Sequence, residues 1–276
     1  MGTSQSSKGP GPGVPMVPPW APDLPSTNSS GDDQSQDSQD SSAAPSGGVP
    51  IAPPGRFGGA RRSLGGYAGS GGRSDLRQGL KHYIRSGYGG SKTATRRFAG
   101  TASTAAVLGG VLAGLASGQS FVANNGLDPV LLAGKSADEV MSAVTEAVRP
   151  VDGTQDAEAQ RAAIRDSLSE VLTRFPDADL VNLNPEHREF AIETFTAFDV
   201  VHRFELDVGK TIFAKSPNAT AALARLKEAR EYIKETVSAA FRKLKETGKT
   251  LTTGQIKHVV KDALQETFEV FEGYIK

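Results

Sequence analysis

The sequence of 276 residues contains no cysteine. This absence excludes disulfide bonds, thiolate metal ligands and a cysteine nucleophile. The first 20 residues also lack a charged start followed by an apolar run, which is the pattern of a signal peptide. Both absences favour a protein of the cytoplasm, and we expect a cytoplasmic location.

Long apolar runs are missing as well. The most apolar stretch is "AAVLGGVLAGLA", residues 105–116, which is interrupted by Gly109, Gly110 and Gly114. A membrane-spanning helix needs about 20 predominantly apolar residues. Small residues spaced as in Gly110-x-x-x-Gly114 allow helices to approach closely, in lipid and in a soluble bundle alike. We therefore expect a buried helix here and no association with a membrane.

The residue patterns of common catalytic sites do not occur either. No serine lies in a predicted strand–turn–helix elbow. The stretch "SGYGGSKT", residues 86–93, is similar to a phosphate-binding loop, but Ser91 replaces the glycine that precedes the lysine. No predicted strand leads into it, so its backbone amides lack the usual scaffold. We expect that the protein is not an enzyme and needs no cofactor.

Two pairs of possible metal ligands stand at helical spacing. Asp199-x-x-His202 and His258-x-x-x-Asp262 each place two side chains on one helix face. Di-metal bundles use Glu-x-x-His pairs together with further inward-facing glutamates, and those are not evident. We expect these histidines to lie at the surface or at helix caps, and we predict no metal site.

Glycine, proline and charge are distributed unevenly. Residues 1–100 hold 20 of the 31 glycines and 11 of the 16 prolines. The formal charge is −4 over residues 1–50, +9 over residues 51–100 and −5 over the rest. Such glycine- and proline-rich sequence has too few apolar residues to offset the entropy of ordering. We predict a long disordered Gly/Pro/Ser-rich N-terminal arm over residues 1–72 and a helical domain over residues 73–276.

The remainder of the chain has helical periodicity and no convincing strand pattern, so we predict an all-α, multi-helix bundle. Ser136 and Glu139 form a capping box, and Asn184 precedes a proline at the first helical position. The predicted helices begin near Ser74, Thr93, Ser136, Thr154 or Asp156, Asn184, residue 217 and Thr252.

A basic glycine-rich segment, residues 55–98, joins the arm to the bundle, and we call it the basic collar. Its arginines and aromatic residues alternate in a way that is typical of nucleic-acid binding, with charges for phosphates and rings for bases. The alternative is a flexible hinge that keeps the chain soluble and docks on the acidic body. The candidate nucleic-acid-binding arginines are Arg61, Arg62, Arg96 and Arg97, and the aromatic residues are Phe57, Tyr67, Tyr83 and Tyr88.

The arm carries two further candidate sites. Trp20, the only tryptophan, stands among prolines in "GPGPGVPMVPPWAP" and is either an anchor for a partner groove or a solvated residue. Gly2 follows the initiator methionine, whose removal would expose a glycine α-amine. With Ser6 it also fits the loose pattern for N-myristoylation, although glycine is a common residue at this position.

Several segments together resemble the QatB family. They are "MGTSQSSKGPGPGVPMVPPWAP", "GGRSDLRQGLKHYIRSGYGGSKTATRRFAGTASTAAVLGG" and the helical C-terminal half. The resemblance covers most of the chain except the acidic spacer around residues 26–50. It implies a small, non-enzymatic component of a bacterial Qat anti-phage defence system. It also implies three operon partners: an ATPase, a QueC-like enzyme and a TatD-like metal-dependent nuclease.

The resemblance implies a role for Gly2. A QueC-like enzyme activates a carboxylated deazaguanine with ATP and normally transfers it to ammonia. A free glycine α-amine is an unhindered substitute for ammonia, and such amines have a pKa near ~8. We therefore expect Gly2 to be the acceptor, while the helical body binds the ATPase. Myristoylation is the weaker interpretation because bacteria generally lack the transferase. The rival interpretations are a nucleic-acid adaptor that acts through the basic collar and a plain scaffold for the nuclease.

Overall fold

The computed structural model describes residues 55–118, 127–252 and 254–274. Within these ranges the chain forms α-helices and two π-helices but no β-strand, which confirms the all-α, multi-helix prediction. The elements are α1 (Gly58–Ser70), α2 (Arg73–His82), π1 (Tyr83–Tyr88), α3 (Ser91–Arg97), α4 (Ala99–Ala116), α5 (Pro129–Leu132), α6 (Ala137–Val148), α7 (Gln155–Arg174), α8 (Pro185–Phe204), π2 (Glu205–Gly209), α9 (Lys210–Lys215), α10 (Ala219–Glu246) and α11 (Ile256–Glu272).

Helix α8 lies at the centre of the bundle. It packs along α7 on one side and against α10 and α4 on the others, while α11 covers both α4 and α10. Phe195, Phe198 and Phe204 of α8 are buried in this core. The phenylalanines that the sequence places on one long helix therefore supply much of the apolar contact that holds the bundle together.

Three of the seven predicted helix starts, at Ser136, Thr154 and Asn184, are confirmed by their caps. The Ser136 N–H donates to Glu139 Oε2 at 2.9 Å, while Ser136 Oγ accepts from the Glu139 N–H, so the capping box is formed. Thr154 accepts from the Ala157 N–H at 3.2 Å at the start of α7. Asn184 caps α8 in the same way. Local sequence rules thus determine where these three helices begin.

Helix α4 is the one described helix that is long and apolar enough to cross a membrane, by length and composition only. Half of it is buried inside the protein, where it packs on α6, α8 and α11. Gly109 is the glycine that permits this close packing, because a Cβ there would collide with the side chain of Ile256. Burial within the bundle accounts for the apolar composition of α4. The sequence predicted that helices approach closely at Gly110, and the structure places this contact at the neighbouring Gly109.

The predicted boundary at residue 72 is wrong for residues 58–70, which form α1. This helix packs on α2 and α9 and buries Leu64 and Tyr67. The Tyr67 hydroxyl donates to the Arg225 carbonyl at 2.9 Å and to Glu228 Oε2 at 3.0 Å on α10. Composition alone predicted disorder here, but apolar residues at helical spacing bury enough surface to order the glycine-rich segment.

Two other predicted boundaries are corrected. Helix α2 begins at Arg73 after Gly72 and has no side-chain cap, so Ser74 is not its N-cap. The helix predicted from Thr93 to Ala116 is interrupted at Phe98, where α3 ends and α4 begins. The Phe98 ring is buried between Tyr88 and Phe268, with ring centroids 5.5 Å and 5.0 Å away. This packing of Phe98 accompanies the change of direction between α3 and α4.

The arm of residues 1–54 lies outside the described residues. The helix that the sequence predicts to begin at Asn184 is present as α8 and continues directly into π2 and α9. Helix α2 likewise continues into π1. A π-helix is rare and often occurs at functional sites, so the two π-helices direct attention to the place where they meet.

Candidate functional site

The two π-helices meet through a shared carboxylate. In π1, the i to i+5 hydrogen-bond pattern places Tyr83 and Tyr88 on the same side of the helix. Both tyrosine hydroxyls donate to Oδ2 of Asp207 in π2, each at 2.9 Å. The two rings cross edge to face with centroids 5.2 Å apart. A regular α-helix would turn residues five apart to different faces, so the π geometry builds this contact.

Burial controls the protonation of this cluster. It raises the pKa of Asp207 above its usual range, against the opposing effect of the hydrogen bonds from Tyr88 and Tyr83 and of the Arg56 charge. Burial also raises the pKa of Tyr83 well above its ordinary value, and that of Tyr88 as well. Both phenols therefore keep their protons at neutral pH and act as hydrogen-bond donors to the carboxyl group.

A second charged cluster lies behind the first. Arg203 and Asp199 are one turn apart on α8, with Arg203 Nε 3.4 Å from Asp199 Oδ2. The Thr101 hydroxyl also donates to Asp199 Oδ2, and Arg203 Nη1 donates to Asp156 Oδ2 at 3.2 Å. Burial raises the pKa of Asp199, opposed by the charge of Arg203. Asp199 Oδ1 and Arg203 Nε are buried without a hydrogen-bond partner.

A cavity of about 320 Å³ opens over these two clusters. Arginines from three separate parts of the chain line it: Arg56 before α1, Arg97 at the end of α3 and Arg203 at the end of α8. We call this cavity the arginine pocket. Its other lining residues are Tyr88, Gln155, Asp156, Leu206 and Asp207.

Arg56 forms one wall of the arginine pocket. Its guanidinium carbon lies 4.4 Å from the ring centroid of Phe57 and 5.3 Å from that of Tyr88. Its Nη2 is 3.9 Å from Asp207 Oδ1, which is an ion pair without a hydrogen bond. Stacking on the two rings holds the arginine in place and leaves its N–H groups available.

The four predicted arginines of the basic collar are all exposed. Arg61 donates to the backbone carbonyl of Asp207 at 3.2 Å, and Arg97 lines the arginine pocket. Arg62 and Arg96 are not among the lining residues. The structure therefore brings two of the four predicted arginines to π2. Arg203, which sequence analysis missed, was detectable only as the i+4 partner of Asp199.

The aromatic residues of the basic collar are not available for base stacking. Phe57 and Tyr88 are only 6 % exposed, and Tyr67 and Tyr83 are fully buried. The expectation that these rings stack on bases is wrong, as is the alternative of a flexible hinge over the described residues. Rings at helical spacing are used for the core because burying them stabilises the fold more than exposing them.

The loop that is similar to a phosphate-binding loop has a structural role. Gly89 and Gly90 have positive φ angles of 84° and 95°, and they turn the chain from π1 into α3. The N–H of Ser91, the first residue of α3, donates to Glu272 Oε2 at 2.9 Å. A carboxylate of α11 therefore occupies the position that a phosphate would take at the start of this helix.

The candidate metal ligands have other partners. His202 Nε2 lies 2.9 Å from Asp166 Oδ2, whereas Asp199 faces Thr101 and Arg203. Asp262 pairs with Lys249 at 2.6 Å. Across residues 55–118, 127–252 and 254–274, no three His, Asp or Glu side chains are grouped so that they could hold a metal ion.

The remaining predicted sites, Gly2 and Trp20, lie outside the described residues. The described part of the chain matches a known protein family. The model of the family "Qat anti-phage system associated protein QatB" matches residues 89–271, which is more than half of the chain. This match includes Arg96 and Arg97. No curated protein and no solved structure matches the chain. The chain therefore belongs to the QatB family and is a component of a Qat anti-phage defence system.

Proposed function

We propose that the protein is a non-catalytic subunit of the defence complex and that its Gly2 α-amine accepts a deazaguanine-type nucleobase from a QueC-like partner. The observation that carries this proposal is family membership together with a glycine directly after the initiator methionine. The partner would activate the carboxyl group of the base with ATP. The amine then attacks the activated carbonyl carbon, an amide bond forms, and the adenylate leaves as the amine releases its proton.

The length of the arm suits this role. About 50 residues separate Gly2 from Gly55, where the described body begins. A flexible coil of that length has a root-mean-square end-to-end distance of about 40 Å. The arm would thus deliver the amine into a deep enzyme pocket while the body stays bound elsewhere. Trp20, between Gly2 and the acidic spacer, would anchor this arm to a partner groove.

The helical body would bind the partner ATPase through an exposed groove between α9 and α10 that is lined by both apolar and charged side chains. Phe213 and Leu223 line this groove and are 53 % and 63 % exposed, respectively. Large apolar side chains that are exposed together are typical of protein interfaces. The substitution of both residues by Asp should abolish co-purification of the ATPase and leave the free protein folded, because neither side chain lies in the core.

Intact mass spectrometry tests the role of Gly2. The full-length protein is co-expressed with the QueC-like enzyme and the ATPase, and its N-terminal peptide is sequenced. We expect an adduct on the wild type and on the control Thr3→Val, but not on Gly2→Val or Gly2→Pro, which crowd or alter the amine. In phage-plaque assays, the wild type and Thr3→Val should protect the cells, whereas Gly2→Val and Gly2→Pro should not. An unmodified wild-type N-terminus together with full defence by Gly2→Val would eliminate the conjugation proposal.

A second candidate function is a nucleic-acid adaptor for the TatD-like nuclease. The exposure of Arg61, Arg62, Arg96 and Arg97 favours it, since phosphate contacts need accessible cations. Substituting all four by Ala should weaken binding to single-stranded DNA and flatten its dependence on salt. If the wild type has no affinity at low salt, this function is excluded. A plain scaffold remains if Gly2 is also unmodified.

A further inference from the structure

We propose that the arginine pocket binds a phosphate group, held by Arg56, Arg97 and Arg203 against the first turn of α7. This site is separate from Gly2 and does not depend on conjugation. Three arguments carry it: unused arginine donors at the mouth, a buried arginine in the wall, and the N-terminus of a long helix at the edge.

The first argument is the supply of donors. Within the described part of the chain, neither Arg56 nor Arg97 donates a hydrogen bond, although each guanidinium has five N–H groups. Both side chains line the same cavity. Arginine recognises phosphate through pairs of N–H groups, and these contacts are stronger than those between neutral groups. The pocket therefore presents the N–H donors of Arg56 and Arg97 beside the carboxylates of Asp156 and Asp207.

The second argument is the buried guanidinium of Arg203. Its side chain is only 8 % exposed; its Nε makes no hydrogen bond but lies 3.4 Å from Asp199 Oδ2, and its Nη1 donates to Asp156. Buried polar groups normally have partners, and an exception needs an explanation. Arg203 keeps a positive charge in the wall of the cavity, where screening by water is weak. A bound anion at this position would share that charge with Asp199 and Asp156.

The third argument is the position of α7. Gln155 and Asp156, its first two residues, line the pocket, and α7 is 20 residues long. The first N–H groups of a helix have no intrahelical partners and carry partial positive charge. Anions bind readily at such a position, here beside three arginines.

Asp156 acts as an internal competitor in this arrangement. Its carboxylate accepts the hydrogen bond from Arg203 Nη1, but its side chain is 66 % exposed and is free to rotate into water. Asp207, the other acid of the pocket, accepts from Tyr83 and Tyr88 through Oδ2, and its Oδ1 lies 3.9 Å from Arg56 Nη2. An arriving phosphate would displace Asp156 from Arg203, so removing the charge of Asp156 should strengthen binding.

Isothermal titration of the full chain in phosphate-free buffer at low salt tests this proposal, with inorganic phosphate, pyrophosphate and a ten-residue oligothymidylate as probes. We expect Arg97→Gln and Arg56→Gln to weaken binding about tenfold. The control Arg96→Gln removes the same charge from α3 outside the pocket and should change affinity less than twofold. Asp156→Asn should tighten binding, whereas Asp138→Asn, in the exposed first turn of α6, should not.

The probes identify the source of the phosphate group. Binding of the oligothymidylate with a steep salt dependence would indicate a nucleic-acid backbone, and binding of pyrophosphate alone would indicate a small phosphorylated compound. Either result supports the site if it depends on Arg97 and Arg56. The proposal is overturned if no probe binds, or if Arg96→Gln weakens binding as much as Arg97→Gln does. Gly2→Val should bind the probes normally, so failure here leaves the conjugation proposal untouched.

Discussion

Two regions of the body reach the same helical structure from very different sequences. Residues 55–98 contain 12 glycines, whereas residues 137–204 contain only Gly153. The second region follows local rules, with caps that predict where α6, α7 and α8 begin. The first region breaks those rules, because each glycine in a helix interior costs up to about 1 kcal/mol relative to alanine.

The glycines of the first region allow close packing. A Cβ at Gly79 would lie 2.6 Å from Leu64, and one at Gly87 would collide with the ring of Phe57. Without these Cβ atoms α1 packs directly on α2 and π1. The comparison teaches that tertiary burial, rather than helix propensity, decides structure in the basic collar.

The largest expected effect comes from removing α1. A chain that starts at Ser74 loses the burial of Phe57, Leu64 and Tyr67, which stabilises the fold by roughly 5 kcal/mol or more. That is a large share of the stability of a typical domain. We expect the chain that starts at Ser74 to unfold at a much lower urea concentration, measured by circular dichroism. A chain that starts at Gly55 should keep the wild-type midpoint. Equal midpoints for the two truncated chains would contradict the role of α1.

The next effect separates two glycines of the collar. Gly79→Ala should destabilise by about 1–3 kcal/mol, because its methyl group would overpack Leu64. Gly69→Ala is the matched control, since a Cβ there meets nothing within 4 Å. Gly69→Ala should stabilise the fold by about 0.4–1 kcal/mol, because alanine lowers the conformational entropy of the unfolded chain. Urea unfolding measures both, and a loss of stability in Gly69→Ala would show that propensity does not act as we argue.

A smaller effect tests the region that obeys local rules. Ser136→Ala removes the capping box of α6 and should cost about 1 kcal/mol. Ser74→Ala is the control in the collar, because Ser74 is followed three residues later by Arg77 and the structure shows no side-chain cap at the start of α2. It should leave the thermal midpoint unchanged. A similar loss in both variants would mean that α2 is capped after all.

The smallest effect is a change in pH dependence. Because burial raises the folded-state pKa of Asp207, the folded state binds its proton more tightly than the unfolded chain does. The stabilisation is complete below the unfolded pKa of about 3.9 and is lost as pH rises towards the folded value. The Asp207→Asn variant has no carboxyl group at this position, so its stability does not fall over this pH range. Its amide oxygen still accepts hydrogen bonds from Tyr83 and Tyr88. Its stability relative to wild type should rise between pH 4 and pH 7 in urea titrations, and an unchanged difference would refute the assignment.

Local patterns predicted the fold class and many boundaries. Asn184 with Pro185 and the capping box at Ser136 each act within a few residues of the chain. Such signals depend on backbone groups near the same residue, so they are visible without tertiary structure. The break between α3 and α4 at Phe98 was not visible in the sequence, because it involves a ring that packs against Phe268 on α11.

The candidate pocket was predictable only in part. Arg97 was identified from the charge of the collar, but Arg56 and Arg203 were not, and the aromatic residues were assigned to stacking. Charge runs show which residues are cationic, but they do not show which ones converge. Convergence here depends on two π-helices, whose i to i+5 geometry leaves no clear signature in apolar periodicity.

The sequence by itself determined an all-α protein, the starts of α6, α7 and α8, and a family resemblance that the comparison with known families confirms. Tertiary structure alone decided that the glycine-rich residues from Gly58 to Ser70 fold, that the collar's aromatic residues are core, and that Arg56, Arg97 and Arg203 share one cavity. The physical reason is range. Caps and periodicity act between neighbours in the chain, whereas burial and the meeting of charges depend on contacts between residues more than 100 positions apart.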